Sequence, residues 1–349
     1  MKKTLRKATT EEFNNWDELI SNNPYGVELY QTKSFASIKQ RQGWHPEFWV
    51  YETSFGKVYA LALVRKIIGL GRVIYIPRGP SVIDVKQWGE ICRISKRQLT
   101  DAVAIKMEPP IRREKLRTLR DDLRKVGEIQ KSVVNTVVLD LTLPEEEILA
   151  SFRQRARRSI RGGRKEQLAV TEGVYSPKNV DQMWSLYKET AKRAGIKTRP
   201  KSYFANFWRQ YIENDQGRFY FVWAPDDENP IAGAFVCFVG DVALYKDGGS
   251  RRDTQTHFSH LLQWQVMQSL RGKGVARYDL GGTPPSDRLE DSTHRLASLA
   301  TFKMSFGAPV IDYVGAYDQI LKPKAYKKWR VIQRLWRDAM WRTPFRDIY

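Results

Sequence analysis

The sequence predicts an α/β protein made of two tandem units, each with helices around a mixed sheet. Two observations carry this. The 349 residues are 42% apolar and 12% aromatic, enough material for two cores at about 100–200 residues per domain. The same order of elements also runs twice along the chain: helix, strand, strand, strand into a turn, helix, strand.

In the first pass, TEEFNNWDELI (10–20) reads as a helix, with Thr10 as its cap, acids in the first turn and apolar periodicity behind them. Strands are predicted at 48–51 and 58–65, and RVIYIPRGPSV (72–82) is a strand entering a turn. A helix over 84–101 and a strand over 102–107 follow, ending at Glu108-Pro109-Pro110. In the second pass, 179–194 is a helix with Met183, Trp184, Tyr187 and Ala191 on one side. Strands are predicted at 219–223 and 231–238, and DVALYKDGGS (241–250) is a strand ending in a glycine turn. A helix over 257–271 and a strand over 276–280, closed by Gly281-Gly282, complete it. Residue identities hardly match, so the repeat is one of pattern. The first unit is expected over 1–142 plus 316–349, the last segment returning as a closing helix, and the second over 143–315.

The formal net charge of +20 predicts attraction to polyanions: nucleic acid, phosphorylated substrates or an anionic membrane surface. Cys92 and Cys237 form no CxxC pair, and His257 and His260 have no thiols or patterned acids beside them, so neither a disulfide framework nor a metal site is expected. MKKTLRKATTEEF has no apolar stretch behind its basic residues, and no run approaches the roughly 18 apolar residues of a membrane span. The expected location is the cytoplasm, as a monomer.

Charge is concentrated in 143–165, LPEEEILASFRQRARRSIRGGRK. Arg153, Arg155, Arg157, Arg158, Arg161, Arg164 and Lys165 crowd together, while Phe152, Ala156 and Ile160 fall four apart on one apolar face. No acids interleave to neutralise the arginines, so the segment is either a solvated helix face or a contact for phosphate or RNA. Other cations stand alone: Lys39 in QTKSFASIK, Arg78 in the turn IPRGP and Arg199 in GIKTRPKSYF. TFKMSFG (301–307) is a strand-like stretch carrying one lysine, Lys303, between Phe302 and Phe306; that lysine is either an edge residue or a placed charge. In the tail, AYKKWRVIQRLWRDAMWR (325–342), Trp329, Ile332, Leu335, Trp336, Ala339 and Met340 line one side of a basic helix. That side either packs on the first unit or lies on a membrane.

The order of elements resembles the GNAT acyltransferase fold. GNAT enzymes hold the coenzyme A pyrophosphate on a glycine-spaced loop at a helix N-terminus. The corresponding loops here, PRGPSVIDVKQW and GGSRRDTQTHFSHLL, lack that spacing, which disfavours an acyl-CoA donor. YQTKSFASIK (30–39), IPRGP, AGIKTRPKSYF, YDLGG and FKMSFGAPVIDYVGAYD, in that order, resemble the FemABX family of peptidoglycan cross-bridge aminoacyltransferases. No long heptad insertion is present, so the resemblance is to the short type without a coiled-coil arm.

The resemblance implies transfer of an amino acid from an aminoacyl-tRNA, with no other cofactor, to the stem peptide of UDP-MurNAc-pentapeptide or lipid II. It places Lys39 and Arg199 on the acceptor's diphosphate, with Tyr203 beside them, and the turn cation Arg78 is expected to join them as a further acceptor contact. It places Phe302 and Lys303 at the donor end, where Arg153, Arg157, Arg158 and Arg161 would meet tRNA phosphates. Glu108 falls where relatives often have Asp. Asp247 stands where they often have tyrosine, and an acid there is expected to repel a diphosphate. The reaction needs a neutral amine close to the ester carbonyl and a stabilised oxyanion. An aminoacyl ester is already activated, and neither a GxSxG elbow nor a Cys–His signature is present. Lys303 is expected to stabilise the oxyanion or the negative charge at the terminal adenosine, Phe302 to be a stacking surface for that adenosine, and Glu108 to deprotonate or orient the amine. Two alternatives remain: an acyl-CoA N-acyltransferase, and a non-enzymatic RNA-binding protein using the arginine helix. An acceptor tethered to lipid would bring peripheral contact with the inner membrane surface.

Overall fold

The computed structural model describes residues 3–116, 120–126, 134–251 and 257–340, with side chains through 336. The chain divides into two units, Met1–Val134 with Asp312–Tyr349, and Asn135–Ile311. In chain order the first unit contains β1 (Thr4–Lys7), α1 (Thr10–Asn14), α2 (Trp16–Leu19), α3 (Lys33–Gln40), β2 (His45–Thr53), β3 (Gly56–Ile67), β4 (Gly71–Ile76), α4 (Val85–Gln98), β5 (Ala102–Met107) and β6 (Leu123–Lys125). The second contains β7 (Asn135–Asp140), α5 (Glu145–Ser151), α6 (Gln154–Lys165), β8 (Ala169–Gly173), α7 (Pro177–Arg193), α8 (Lys201–Glu213), β9 (Gly217–Trp223), β10 (Ala232–Val239), β11 (Val242–Ser250), α9 (Phe258–Gly272), β12 (Arg277–Gly282), α10 (Ala297–Met304) and β13 (Val310–Asp312). The chain then returns to the first unit as β14 (Tyr317–Ile320) and α11 (Pro323–Met340).

Each unit is built on a seven-stranded sheet, ordered β1-β2-β3-β4-β5-β14-β6 in the first and β8-β9-β10-β11-β12-β7-β13 in the second. The two orders correspond strand for strand through the fifth. Each sheet also has a parallel pair at the same place, β4 with β5 and β11 with β12, flanked by antiparallel partners. The strand beside that pair has a different origin in each: β14 arrives from the end of the chain, β7 from the link before α5. This moves the expected boundary. The sequence places the end of the first unit's leading segment at 142, but Asn135–Asp140 pairs with β12 and belongs to the second sheet.

Local sequence explains the ends of the helices. α1 starts at Thr10 as predicted and ends at Asn14, but its cap is Thr9, which accepts from the Glu12 amide while the Glu12 carboxylate accepts from the Thr9 amide, a reciprocal capping box. Asp84 and Ser176 cap α4 and α7. In the first unit, α4 buries Trp88, Ile91 and Cys92 against Tyr51, Ala60, Ile74 and Ile105. In the second, Phe152, Ala156 and Ile160 share a core with Trp264, Met267, Tyr220 and Tyr278, so the apolar stripe predicted within the arginine segment is the face that packs. Removing such side chains from water stabilises each sheet by about 25 cal/mol per Å2 of apolar area.

The predicted Gly-Gly-Ser turn is part of β11. A Cβ at Gly249 would sit 2.3 Å from the backbone of Leu186, so the glycine is required by the close passage of α7 across the strand. TFKMSFG likewise departs from its strand-like reading: Thr301–Met304 form the last turn of α10. The tail helix turns Tyr326, Trp329 and Gln333 inward, leaving Leu335 exposed. The side predicted to pack is therefore rotated; Ala339 and Met340 lie beyond the described side chains.

α11 is tied to its sheet through Asp318, which forms a buried ion pair between β14 and β5. Lys106 Nζ lies 2.9 Å from Asp318 Oδ1, and the Tyr326 hydroxyl donates to Asp318 Oδ2 at 2.8 Å. Removing one member of a buried pair strands the other charge. Asp318→Ala is expected to lower the unfolding free energy by ~3–5 kcal/mol, and Tyr326→Phe by about 1 kcal/mol, measured by urea unfolding. A loss below 1 kcal/mol for Asp318→Ala would show that the pair does not hold the helix.

Candidate functional site

In the second unit, β11 and β12 pair from Val242↔Arg277 to Leu244↔Asp279. The Asp279 carboxylate then takes over two groups near its own strand end. It accepts from the Gly281 amide at 2.7 Å and from the Thr136 hydroxyl of β7. Gly281, at φ +75°, adopts a backbone conformation that glycine tolerates best. The Gly282 carbonyl receives a hydrogen bond from Lys303 Nζ at 2.8 Å. Lys303 is only 6% exposed. Burial pulls its pKa down from 10.5 to about 8, with the nearby Asp279 charge opposing the drop. Lys303 is thus a buried, placed charge.

Phe302, one residue earlier on α10, faces a different environment. Its ring meets that of His260 at 5.0 Å and that of Phe306 at 5.3 Å, both edge-on. It lines a cleft of about 660 Å3 together with Arg155 and Arg158 of α6, His257 and His260, and Ser305. The cleft is held by a chain of hydrogen bonds: His260 Nδ1 is 3.1 Å from the Ser159 hydroxyl and Nε2 is 3.0 Å from that of Ser305. The Ser305 hydroxyl donates to the Phe302 carbonyl and so accepts from Nε2, which leaves Nδ1 to accept from Ser159, whose hydroxyl also lies 3.3 Å from the His257 carbonyl. Burial, reinforced by Arg155 and His257, lowers the His260 pKa to about 4, so the imidazole is neutral and joins α6 to α10. The two glycines of the arginine segment make this packing fit: a Cβ at Gly162 would meet the His257 ring at 2.7 Å, and one at Gly163 the Leu261 side chain at 2.9 Å.

The remaining predicted site residues fall into separate groups. Arg158 edges the cleft. Arg153 precedes α6, Arg157 donates to the Ala150 carbonyl, and Arg161 is exposed. Arg199 lies 4.2 Å over the Tyr203 ring at the start of α8, so that pair is brought together. Asp247 is buried; it accepts from the Trp208 indole at 2.9 Å and pairs with Lys246 at 3.1 Å. Its charge is therefore answered inside the second unit.

In the first unit Lys39 is buried on α3, donating to Gln42 at 3.0 Å. Arg78 is buried, pairs with Glu28 at 3.1 Å, and lies 4.4 Å over the Tyr313 ring. Its φ of +48° puts a non-glycine residue in the left-handed region. Glu108 accepts from the Tyr75 hydroxyl at 3.0 Å and from the Arg78 amide at 3.4 Å. Arg78 and Glu108 thus form one buried cluster that pins the IPRGP turn to the end of β5. His260, Ser159, Tyr75 and Glu28 were not foreseen as site residues; the three-residue spacing of His257 and His260 on a helix was the only sequence signal for any of them. The loop 252–256, part of the segment compared with coenzyme A loops, lies outside the described residues. Among the described residues no group of acids, histidines and cysteines could hold a metal ion, and no helix is long and apolar enough to cross a membrane.

The depressed pKa of Lys303 has a thermodynamic consequence. Between about 8 and the ordinary 10.5 the unfolded chain binds the proton that the folded chain has lost, so stability rises with pH across that window. Below pH 8 the full cost of burying the charge is present, roughly 3 kcal/mol. Lys303→Met is therefore expected to stabilise the chain by ~1–3 kcal/mol at pH 6.5, less the lost hydrogen bond, and by less at pH 10. Denaturant unfolding at the two pH values measures it; equal effects at both would show that Lys303 is not desolvated.

The GNAT acetyltransferase domain family matches residues 150–289, within the second unit. Lipid II:glycine glycyltransferase of Staphylococcus epidermidis is 21% identical over 401 aligned positions, covering 89% of this chain and 92% of that protein. The Staphylococcus aureus enzyme of the same name is 22% identical over 395, with the same coverage. These alignments are longer than the 349-residue chain, so the relatives carry segments that it lacks. Among solved structures, FemX superimposes with a TM-score of 0.74 at 20% identity, covering 94% of this chain and 99% of that one. The C-terminal domain of a lysylphosphatidylglycerol synthetase from Agrobacterium fabrum has a TM-score of 0.50 at 14% identity, covering 90% and 93%. In sequence over nine-tenths of its length and in fold over nearly all of it, the chain resembles the FemABX proteins in their short, FemX-like form, two GNAT-like units in tandem.

Proposed function

We propose that the protein transfers an amino acid from an aminoacyl-tRNA to an amine of the stem peptide of a peptidoglycan precursor, either UDP-MurNAc-pentapeptide or lipid II. The coarser reading, an acyl- or aminoacyltransferase that builds the peptidoglycan bridge, is supported by the glycyltransferase relatives and the GNAT match. The observation that carries the finer reading is the divergence of Phe302 and Lys303. Neighbours on one helical turn, they serve an arginine-edged aromatic cleft and a desolvated ammonium beside a parted strand pair.

In this reading the tRNA backbone follows Arg155 and Arg158, and the terminal adenosine stacks on Phe302, an interaction worth about 1–3 kcal/mol. The acceptor amine attacks the ester carbonyl carbon. A C–N bond forms, the ester C–O bond breaks, and a proton lost by the amine ends on the released ribose oxygen. The Lys303 ammonium stabilises the intermediate oxyanion, more strongly for being desolvated. The ester is already activated, so the reaction needs no cofactor beyond the charged tRNA. Arg199, over the Tyr203 ring in the second unit, is assigned to the acceptor's diphosphate; in the first unit Lys39 is buried and engaged by Gln42, and Arg78, engaged by Glu28, shapes the turn that Glu108 closes. The GNAT match favours one second reading, an acyl-CoA donor.

Incubation with a charged tRNA mixture and muramyl pentapeptide, in parallel with acetyl-CoA, separates the two by product mass: an added aminoacyl residue supports the proposal, an acetyl group the second reading. With saturating donor, Lys303→Met is expected to slow single-turnover transfer by ~10²–10³. Wild-type rates should fall above about pH 8, as the ammonium is lost, and Lys303→Arg should move that limb upward. Phe302→Ala should raise donor KM, and Arg199→Met acceptor KM. An unchanged rate for Lys303→Met removes the lysine from the chemistry.

A further inference from the structure

The outward side of α11 has no role in the reaction. With Tyr326, Trp329 and Gln333 turned inward, helical spacing places Lys324, Lys328, Val331 and Leu335 on the opposite side, with Lys327 and Arg334 at its margins. Val331 is 57% exposed and Leu335 64%. A solvated helix face ordinarily mixes acids among its lysines; here no acid occurs from Lys322 through Arg337.

Other exposed apolar side chains lie elsewhere on the same unit. Trp336, 40% exposed, lies 5.9 Å from the Arg65 guanidinium near the end of β3. Three residues on, in the β3–β4 turn, Ile68 is 95% exposed beside Lys66. The nearest turn cation on the other side, Arg72, is engaged by Asp101 and Glu47. On the outward face of α11, Val331 and Leu335 are thus exposed apolar side chains set among Lys324, Lys327, Lys328 and Arg334. Water gives such a surface nothing. A layer that is anionic outside and hydrocarbon beneath satisfies both kinds of side chain at once, the cations drawn to headgroups and the apolar tips inserted between them.

We propose that this face docks the first unit on a bilayer rich in anionic phospholipid, with α11 lying along the headgroups and Val331 and Leu335 entering the interface. The proposal rests on the surface of the first unit and is independent of which donor or acceptor the protein uses.

The test is co-sedimentation of the full chain with phosphatidylglycerol-containing vesicles and with pure phosphatidylcholine vesicles. The wild type is expected to bind the anionic vesicles, more weakly as salt rises, and the neutral ones far less. The pair Val331→Asp and Leu335→Asp should lower partitioning at least about tenfold, and Lys324→Gln with Lys328→Gln should do so while leaving the apolar tips intact. Brominated lipid should quench tryptophan emission in the wild type, a readout that needs no variant. Undiminished binding by both double variants, equal binding to neutral vesicles, or no quenching would overturn the proposal. So would a wild-type dimer that the Asp pair converts to monomer, which would make the face a self-association surface.

Discussion

The second unit depends on where one ladder of hydrogen bonds stops. β11 and β12 run in parallel through Leu244↔Asp279 and then part, because the Asp279 side chain, Gly281 and Thr136 replace the missing ladder partners at the end of β12. In the first unit the equivalent pair, β4 and β5, stays in register to Ile76↔Met107. Two units of the same topology therefore differ at their strand ends. In one a lysine reaches the backbone of the parted strand; in the other a buried glutamate and a left-handed arginine seal the turn.

Phe302 and Lys303 show how helical geometry separates tasks. Successive residues on a helix point about 100° apart, so one turn of α10 serves a wet, cation-edged cleft and a dry strand end. The neutral His260 fastens this helix to α6 through Ser159 and Ser305, and the paired glycines of α6 set how closely α9 approaches. The arginines that edge the cleft are positioned by residues with no charge of their own.

The first unit is organised by its last helix. Lys106, Asp318 and Tyr326 form a buried polar cluster that fixes which side of α11 packs. Once that side is set, the remaining lysines and branched residues have nowhere to point but outward. A buried interaction that holds the fold thereby decides the character of a surface.

Composition and local pattern by themselves determined that the chain is two α/β units with the same order of elements, and that Phe152, Ala156 and Ile160 are a packing stripe beneath a basic face. Those are properties of periodicity within a few residues. The tertiary structure decided what depends on residues far apart in the chain. It gave 135–140 to the second sheet, because strand pairing joins it to residues near 280. It turned TFKMSFG into a helix end, since the Gly282 carbonyl and the Phe152–Trp264 core receive its two sides. It enclosed Asp247 behind Trp208, and rotated the tail helix so that a buried tyrosine–aspartate bond, rather than the richest apolar stripe, faces the sheet. A sequence pattern records what each side chain prefers; which preference is met depends on partners that only folding brings within reach.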